Sequence, residues 1–247
     1  AGAQATGGSG SDTLVGIESL NGSVHADTLS GDGNANRLEG ANGNDTLTGG
    51  AGDDTLSGGA GTDTASYADA SSGVRVSLVL TGLQATGGSG SDTLIAIENL
   101  SGSNHDDTLR GDGNANRLDG AQGNDFLNGG AGNDTLDGGA GNDRLWGDSG
   151  ADSLVGGDGS DSYYLDDAGD SVSETNANAA TGGTDQVFSY LVAYTLTDHI
   201  ENGRILATGA ASLAGNALDN LLEAGTGNNR LDGAGGNDTV SYLYAVS

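Results

Sequence analysis

A nine-residue period governs this chain and leaves it few ways to fold. It runs without a slip from Gly22 to Ser66, from Gly102 to Tyr164 and from Gly215 to Ser241, which makes fifteen nonapeptides; isolated copies start at Gly7 and Gly87. Each unit carries Asp or Asn at its sixth place and nearly always a large apolar residue at its eighth; GGAGNDTLD from Gly129 and GGAGNDRLW from Gly138 each begin with glycines. Glycines tolerate positive φ and let the backbone turn so that carbonyl oxygens converge. The three residues after the turn are extended, with Leu136 or Leu145 pointing inward and its neighbours outward. So short a unit cannot bury its apolar residue alone, whereas stacked copies share one core.

A second self-similarity lies at an offset of 80, where the segment from Gln4 to Leu38 recurs from Gln84. The C-terminal DTVSYLYAVS matches DTASYADASS from Asp63, and residue 1 aligns where the continuation of that segment ends, so the chain reads as cut from a longer array. The expected units are a first roll with a flanking strand segment over 1–83, a second roll over 84–164, an irregular strand-rich insert over 165–205 and a partial third roll over 206–247. Val74, Val76, Leu78 and Leu80 alternate with period two, and QVFSYLVAYTL from Gln186 is apolar and aromatic; both read as longer strands flanking the rolls. Nothing reads as a helix, so the fold class is all-β.

Charge narrows the partners. Thirty-five acidic residues face seven basic ones, all arginine, for a formal charge of −28, which excludes nucleic acid and anionic membrane. No run approaches the ~20 apolar residues that insertion in a membrane requires, and the opening AGAQATGGSG lacks the basic and apolar stretches of a signal peptide. With 48 Gly, 34% apolar residues and no Cys, neither a layered core nor disulfides hold such a chain together. Cations that neutralise the carboxylates would make folding and metal binding one equilibrium. Ca²⁺ wants six to eight oxygens from carboxylates and carbonyls. One turn offers too few, but two turns stacked at ~4.8 Å supply enough. Because two nonapeptides make one coil, sites join unit i to unit i+2.

The pattern G-G-x-G-x-D-x-U-x resembles the repeats-in-toxin, or haemolysin-type calcium-binding, family. The resemblance implies a right-handed parallel β-roll, a β-solenoid with Ca²⁺ in its edge turns, here in two or three consecutive segments. Members are secreted enzymes, toxins and giant adhesins exported by type I machinery, which implies an extracellular or bacterial cell-surface location. Carried onto this sequence, the family's metal positions are Asp12, Asp27, Asn36, Asp45, Asp54, Asp63, Asp92, Asp107, Asn116, Asp125, Asp134, Asp143, Asp152, Asp161 and Asp238. Pairing them two units apart, with Asn220 facing Asp238, gives nine sites, and the expectation is roughly six to ten Ca²⁺. Asp54, paired with Asn36, is expected to serve one site, and Asp125 two. The units GSVHADTLS, GSNHDDTLR, GDGNANRLE and GDGNANRLD depart from the pattern and are expected to bind weakly or not at all.

Other chemistries find less support. His25 and His105 are one place in a duplicated unit and have no Cys beside them, which disfavours zinc there and at His199. The run from Asp32 to Asn36 begins like an EF-hand loop, but Arg37 stands where its Gly belongs and Gly43 where its closing Glu belongs. No catalytic motif is present, so the chain is not expected to be an enzyme. The expected role is a structural repeat module of a large secreted or surface protein, an adhesin or S-layer-like array. The alternative is the C-terminal folding and export module of a secreted enzyme. Neighbouring repeats, or a surface polysaccharide gripped by Arg75, Arg110 and Arg144, are the further partners considered.

Overall fold

A computed structural model describes residues 3–6, 10–13, 16–174 and 182–243, the first two stretches by backbone alone. Among these residues every regular element is a strand, and nearly all pairing is parallel. The chain is a parallel β-roll. Strands one coil apart pair in register, Leu118 with Leu136 and Leu136 with Leu154 on one face, Leu109 with Leu127 and Leu127 with Leu145 on the other. The eighth-place leucines of both faces meet inside the roll, where Leu29, Leu38, Leu47, Leu56, Leu118 and Leu136 are fully buried. Burying each contributes about 1.5–3 kcal/mol.

Ten strands, from Gly10–Thr13 through Thr135–Ala140 to Ser171–Ser173, form the first face. The second begins with Ser19–Asn21, Arg37–Asn42, Thr55–Ala60 and Gly90–Ile95 and resumes with nine strands from Arg75–Ser77 to Thr239–Ser241. Between the two sequence copies the stacking is direct, since Leu94 pairs with Leu56 and Leu100 with Ala65. The connecting chain makes an excursion. Arg75–Ser77 is laid against Thr108–Arg110, and Gln84–Gly87 folds back antiparallel on Gly90–Ile95.

That excursion shortens the strand expected over 73–83, which ends at Ser77. Gln84 accepts from the Ser77 N–H at 2.8 Å and donates to its carbonyl at 3.2 Å. This closes the intervening loop on itself, so Val74 and Val76 are buried while Leu80 and Leu83 are 52% and 65% exposed. The stretch QVFSYLVAYTL likewise yields two strands, Gln186–Ser189 and Ala193–Thr195, separated by a turn in which the Leu191 N–H donates to Ser189 Oγ. They belong to different sheets: the first continues the second face, and the second opens a three-stranded sheet with Ser212–Ala214 and Arg230–Asp232. Over 165–205 the nonapeptide lapses but the coiling continues. On the outside, Trp146, Tyr164 and Phe188 stack with centroids 3.9 and 4.7 Å apart, one ring per coil.

Backbone crowding explains the glycines. Gly141 has φ +137°, and a Cβ there would collide with the Gly123 carbonyl of the coil below. In calcium-loaded protein, Leu136→Ala is expected to cost about 2–5 kcal/mol in denaturant unfolding, against about 0.5 kcal/mol or less for Leu83→Ala. Equal costs would contradict a core built on the leucine columns.

Candidate metal centre

Each sixth-place residue closes a turn and precedes a strand, so these residues stack in two columns, one along each edge of the roll. A single bond recurs along both columns: a backbone N–H donates to the carboxylate one coil further on. Asp27 donates to Asp45 Oδ1 and Asp45 to Asp63 Oδ1, each at 2.8 Å. Asp107, Asp125 and Asp143 donate to Asp125, Asp143 and Asp161, each at 2.7 Å. Asn36 to Asp54, Asn116 to Asp134 and Asp134 to Asp152 follow at 2.8 Å, and Asn220 to Asp238 at 2.9 Å. All nine pairs expected from the spacing are therefore neighbours.

The second oxygen has a different fate. Oδ2 of Asp45, Asp54, Asp63, Asp125, Asp134, Asp143, Asp152 and Asp161 is buried without a hydrogen-bond partner. First-place glycines show where it points. A Cβ added to Gly40 would collide with Asp45 Oδ2 and lie 2.6 Å from the Gly58 carbonyl oxygen; one on Gly120 would meet Asp125 Oδ2 and the Gly138 oxygen in the same way. Carboxylate and carbonyl of successive coils thus face one small space with no donor between them. Buried oxygens are costly in that state. An all-oxygen set of this kind fits a hard cation such as Ca²⁺.

In the departing units this oxygen is satisfied from within the turn. Ser23 N–H donates to Asp27 Oδ2 at 2.5 Å and Ser103 N–H to Asp107 Oδ2 at 2.6 Å. Asn36 and Asn116 accept from the Asp32 and Asp112 N–H groups at 2.6 and 2.8 Å. Asn116 Nδ2 also donates to the Glu98 carbonyl at 2.8 Å, a neutral donor placed against a carbonyl. Asp238 stands exposed at the end of its column. The side chain of Asp12 lies outside the described residues.

Sequence spacing missed several members of the columns. Asp63 donates through its N–H to Glu98 Oε2 at 2.8 Å, Asp152 to Asp170 Oδ1 at 3.2 Å, Asp161 to Asp185 Oδ1 at 2.8 Å and Asp185 to Glu201 Oε2 at 2.8 Å. Asp54 donates to Asp92 Oδ1 at 3.0 Å, 38 residues on, so Asp54 has neighbours on both sides and not the single one its nine-residue frame implied. Asp92 Oδ2 in turn accepts from the Thr86 hydroxyl at 3.2 Å. A signal was present: Glu98, Asp170 and Asp185 each stand two residues before a buried Leu100, Val172 or Val187, the sixth-to-eighth spacing without its glycines.

Residues 30–65, 101–136, 128–163, 137–172 and 214–242 match the RTX calcium-binding nonapeptide repeat, more than half of the chain. The chain belongs to this RTX family. Its repeats are calcium-binding, with enough copies for several ions. No curated protein matches the chain. The crystal structure of the extracellular lipase LipA from Serratia marcescens is similar over 66% of this chain and 33% of that one, at 20% identity and a TM-score of 0.27. This RTX chain thus spans about a third of the length of that lipase.

Burial, reinforced by the neighbouring carboxylates, pushes Asp125 up to about 8 and Asp143 and Asp161 to about 7, against the partial opposition of the N–H bond each accepts. Asp54 and Asp152 rise to about 6 for the same reasons. Folded values above the ordinary 3.8 mean that the metal-free roll holds more protons than the unfolded chain between about pH 4 and 8. Its stability therefore falls as pH rises through that window, while protons compete with Ca²⁺ as pH falls. Because the unfolded chain is already deprotonated over this range, the calcium needed for half-folding, followed by circular dichroism, is expected to fall steadily from pH 8 to 6, and acidified chelator to restore part of the β signal. A midpoint independent of pH would contradict the ladder of buried carboxylates.

Proposed function

We propose that this RTX chain is a calcium-responsive structural module of a large secreted or cell-surface bacterial protein, extended in calcium-poor cytosol and folded outside the cell. The observation that carries the reading is the split use of the Asp45, Asp63, Asp125 and Asp143 carboxylates: one oxygen fixed to a backbone N–H, the other buried and facing a carbonyl of the next coil. We assign the ions to the spaces bounded by Asp45, Asp54, Asp63, Asp125, Asp134, Asp143, Asp152 and Asp161. The turns of Asp27, Asn36, Asp107 and Asn116, already satisfied from within, are assigned as weak or empty. If Kd lies near 10⁻⁴ M, calcium tenfold higher adds about 1.4 kcal/mol per site, so several sites together match the whole stability of a domain. Cytosolic calcium supplies almost none of this.

The direct stacking of the second 80-residue copy on the first favours an adhesin or S-layer-like array, because head-to-tail copies that share one core lengthen a rod without exposing new edges. A parent gene with one such module beside a hydrolase, lyase or epimerase domain would instead make it that enzyme's folding and export module.

Far-UV circular dichroism is expected to be coil-like in chelator and β-rich in millimolar Ca²⁺, with Mg²⁺ a poor substitute because it demands tighter octahedral geometry. At calcium about tenfold above Kd, Asp125→Ala is expected to remove roughly 3 kcal/mol, the contribution of two adjoining sites, and Asp27→Ala much less. A chain equally ordered with and without metal would overturn the proposal, as would equal losses in the two variants.

A further inference from the structure

Where the second run of nonapeptides ends, three buried acidic side chains meet. Asp161, Glu174 and Asp185 each bring a carboxylate oxygen to within 4.8 Å of the others. Asp161 closes the last turn of that run, Glu174 follows Ser171–Ser173 where a repeat would have its first glycine, and Asp185 precedes Gln186–Ser189. Asp185 already accepts the Asp161 N–H at 2.8 Å through Oδ1. Glu174 accepts from the Tyr163 hydroxyl and, at 3.4 Å, from the Gly157 N–H.

An acidic cluster alone would mean little, but one of its oxygens lacks a partner. Asp161 is 1% exposed, and its Oδ2 has no hydrogen-bond partner. It points into the cluster: a Cβ built on Gly156 would meet Asp161 Oδ2, the Tyr163 hydroxyl and, at 2.6 Å, Glu174 Oε1 together. Three carboxylates with no His or Cys among them make an oxygen-only, strongly anionic set suited to Ca²⁺ over zinc. In the repeat turns a glycine stands at the place of Glu174 and adds no carboxylate.

We propose that Glu174 turns the space between Asp161 and Asp185 into a tri-carboxylate divalent-cation site, adding a carboxylate that the nonapeptide pattern does not supply. It takes Ca²⁺ more tightly than the repeat turns and ties Ser171–Ser173 to Gln186–Ser189 where the nine-residue period lapses. The proposal rests on the calcium-dependent reading of the roll and adds to it a first-filling site. Affinity in such sites rises with ligand charge and rigidity, and Glu174 brings the extra charge.

Calorimetric titration of the full chain with Ca²⁺ is expected to resolve one site that fills about tenfold below the others. Glu174→Gln, which keeps the side-chain shape and removes a charge, is expected to merge that site with the rest; Asp45→Asn is expected to leave it in place. Tb³⁺ provides a second measurement, since a phenol in contact with the site sensitises the ion's emission. Tyr163→Phe keeps all three carboxylates and is expected to abolish the earliest phase of tyrosine-excited emission while leaving the first Ca²⁺ midpoint within about twofold. A folded Glu174→Gln protein with an unchanged isotherm overturns the proposal. Should that variant fail to fold in saturating calcium, unchanged early emission in Tyr163→Phe overturns it and lost emission supports it. A wild-type chain that takes up no Ca²⁺ at all overturns the broader reading instead.

Discussion

The roll depends on the bond from the backbone N–H of one sixth-place residue to the carboxylate of the next along its edge. Because that N–H immediately precedes the strand, the bond sets strand register as well as turn spacing. Asp125 N–H on Asp143 and Leu127 paired with Leu145 are two consequences of one alignment. A one-residue slip would turn the leucine outward and carry the carboxylate away from its donor. The same carboxylate offers its other oxygen to the turn, so whatever neutralises that oxygen also reinforces register. Binding and folding are coupled through a single side chain.

Magnitudes indicate why the coupling is strong. Two bare carboxylates about 4 Å apart at an effective dielectric near 20 repel by about 4 kcal/mol, more than the roughly 1.5–3 kcal/mol from a buried leucine. Each coil contributes apolar burial and carboxylate repulsion in similar measure. Stacking more coils therefore adds little net stability until cations enter. Eight doubly charged ions would reduce the formal −28 to roughly −12, a charge compatible with a soluble surface.

What the sequence disclosed follows from which constraints are local. Leu118, Leu136 and Leu154 recur every 18 residues because the coil length is constant there, and the columns of Asp134 and Asp152 follow with them. Where the coil is interrupted, the pairing survives but the count does not. Asp54 reaches Asp92 and Asp63 reaches Glu98 across 38 and 35 residues, because the chain between lays down Arg75–Ser77 and a hairpin before it returns to the edge. Asp161 reaches Asp185 across 24 residues. A frame fixed at nine cannot see such contacts. An acid two residues before a buried apolar residue is the constraint that persists, since it needs only the end of a turn and the start of a strand.

Toward the C-terminus the edge chemistry changes. The residues that precede Ala193–Thr195, Ser212–Ala214 and Arg230–Asp232 are Val192, Ala211 and Asn229, so one edge loses its acids. On the other, Asn220 Nδ2 donates to the Ile200 and Glu201 carbonyls, each at 3.1 Å, and Asn216 Nδ2 to Thr197 and Ile200 at 2.7 and 2.8 Å. An amide NH₂ here supplies the positive end that a cation would otherwise bring to a carbonyl, without a second charge to neutralise. Asn116 does the same within the second copy, against the Glu98 carbonyl. The asparagines are thus more than weakened aspartates. Asn116, Asn216 and Asn220 hold coils together by neutral hydrogen bonds and confine the dependence on cations to the stretches where Asp45 to Asp63 and Asp125 to Asp185 leave carboxylate stacked on carboxylate.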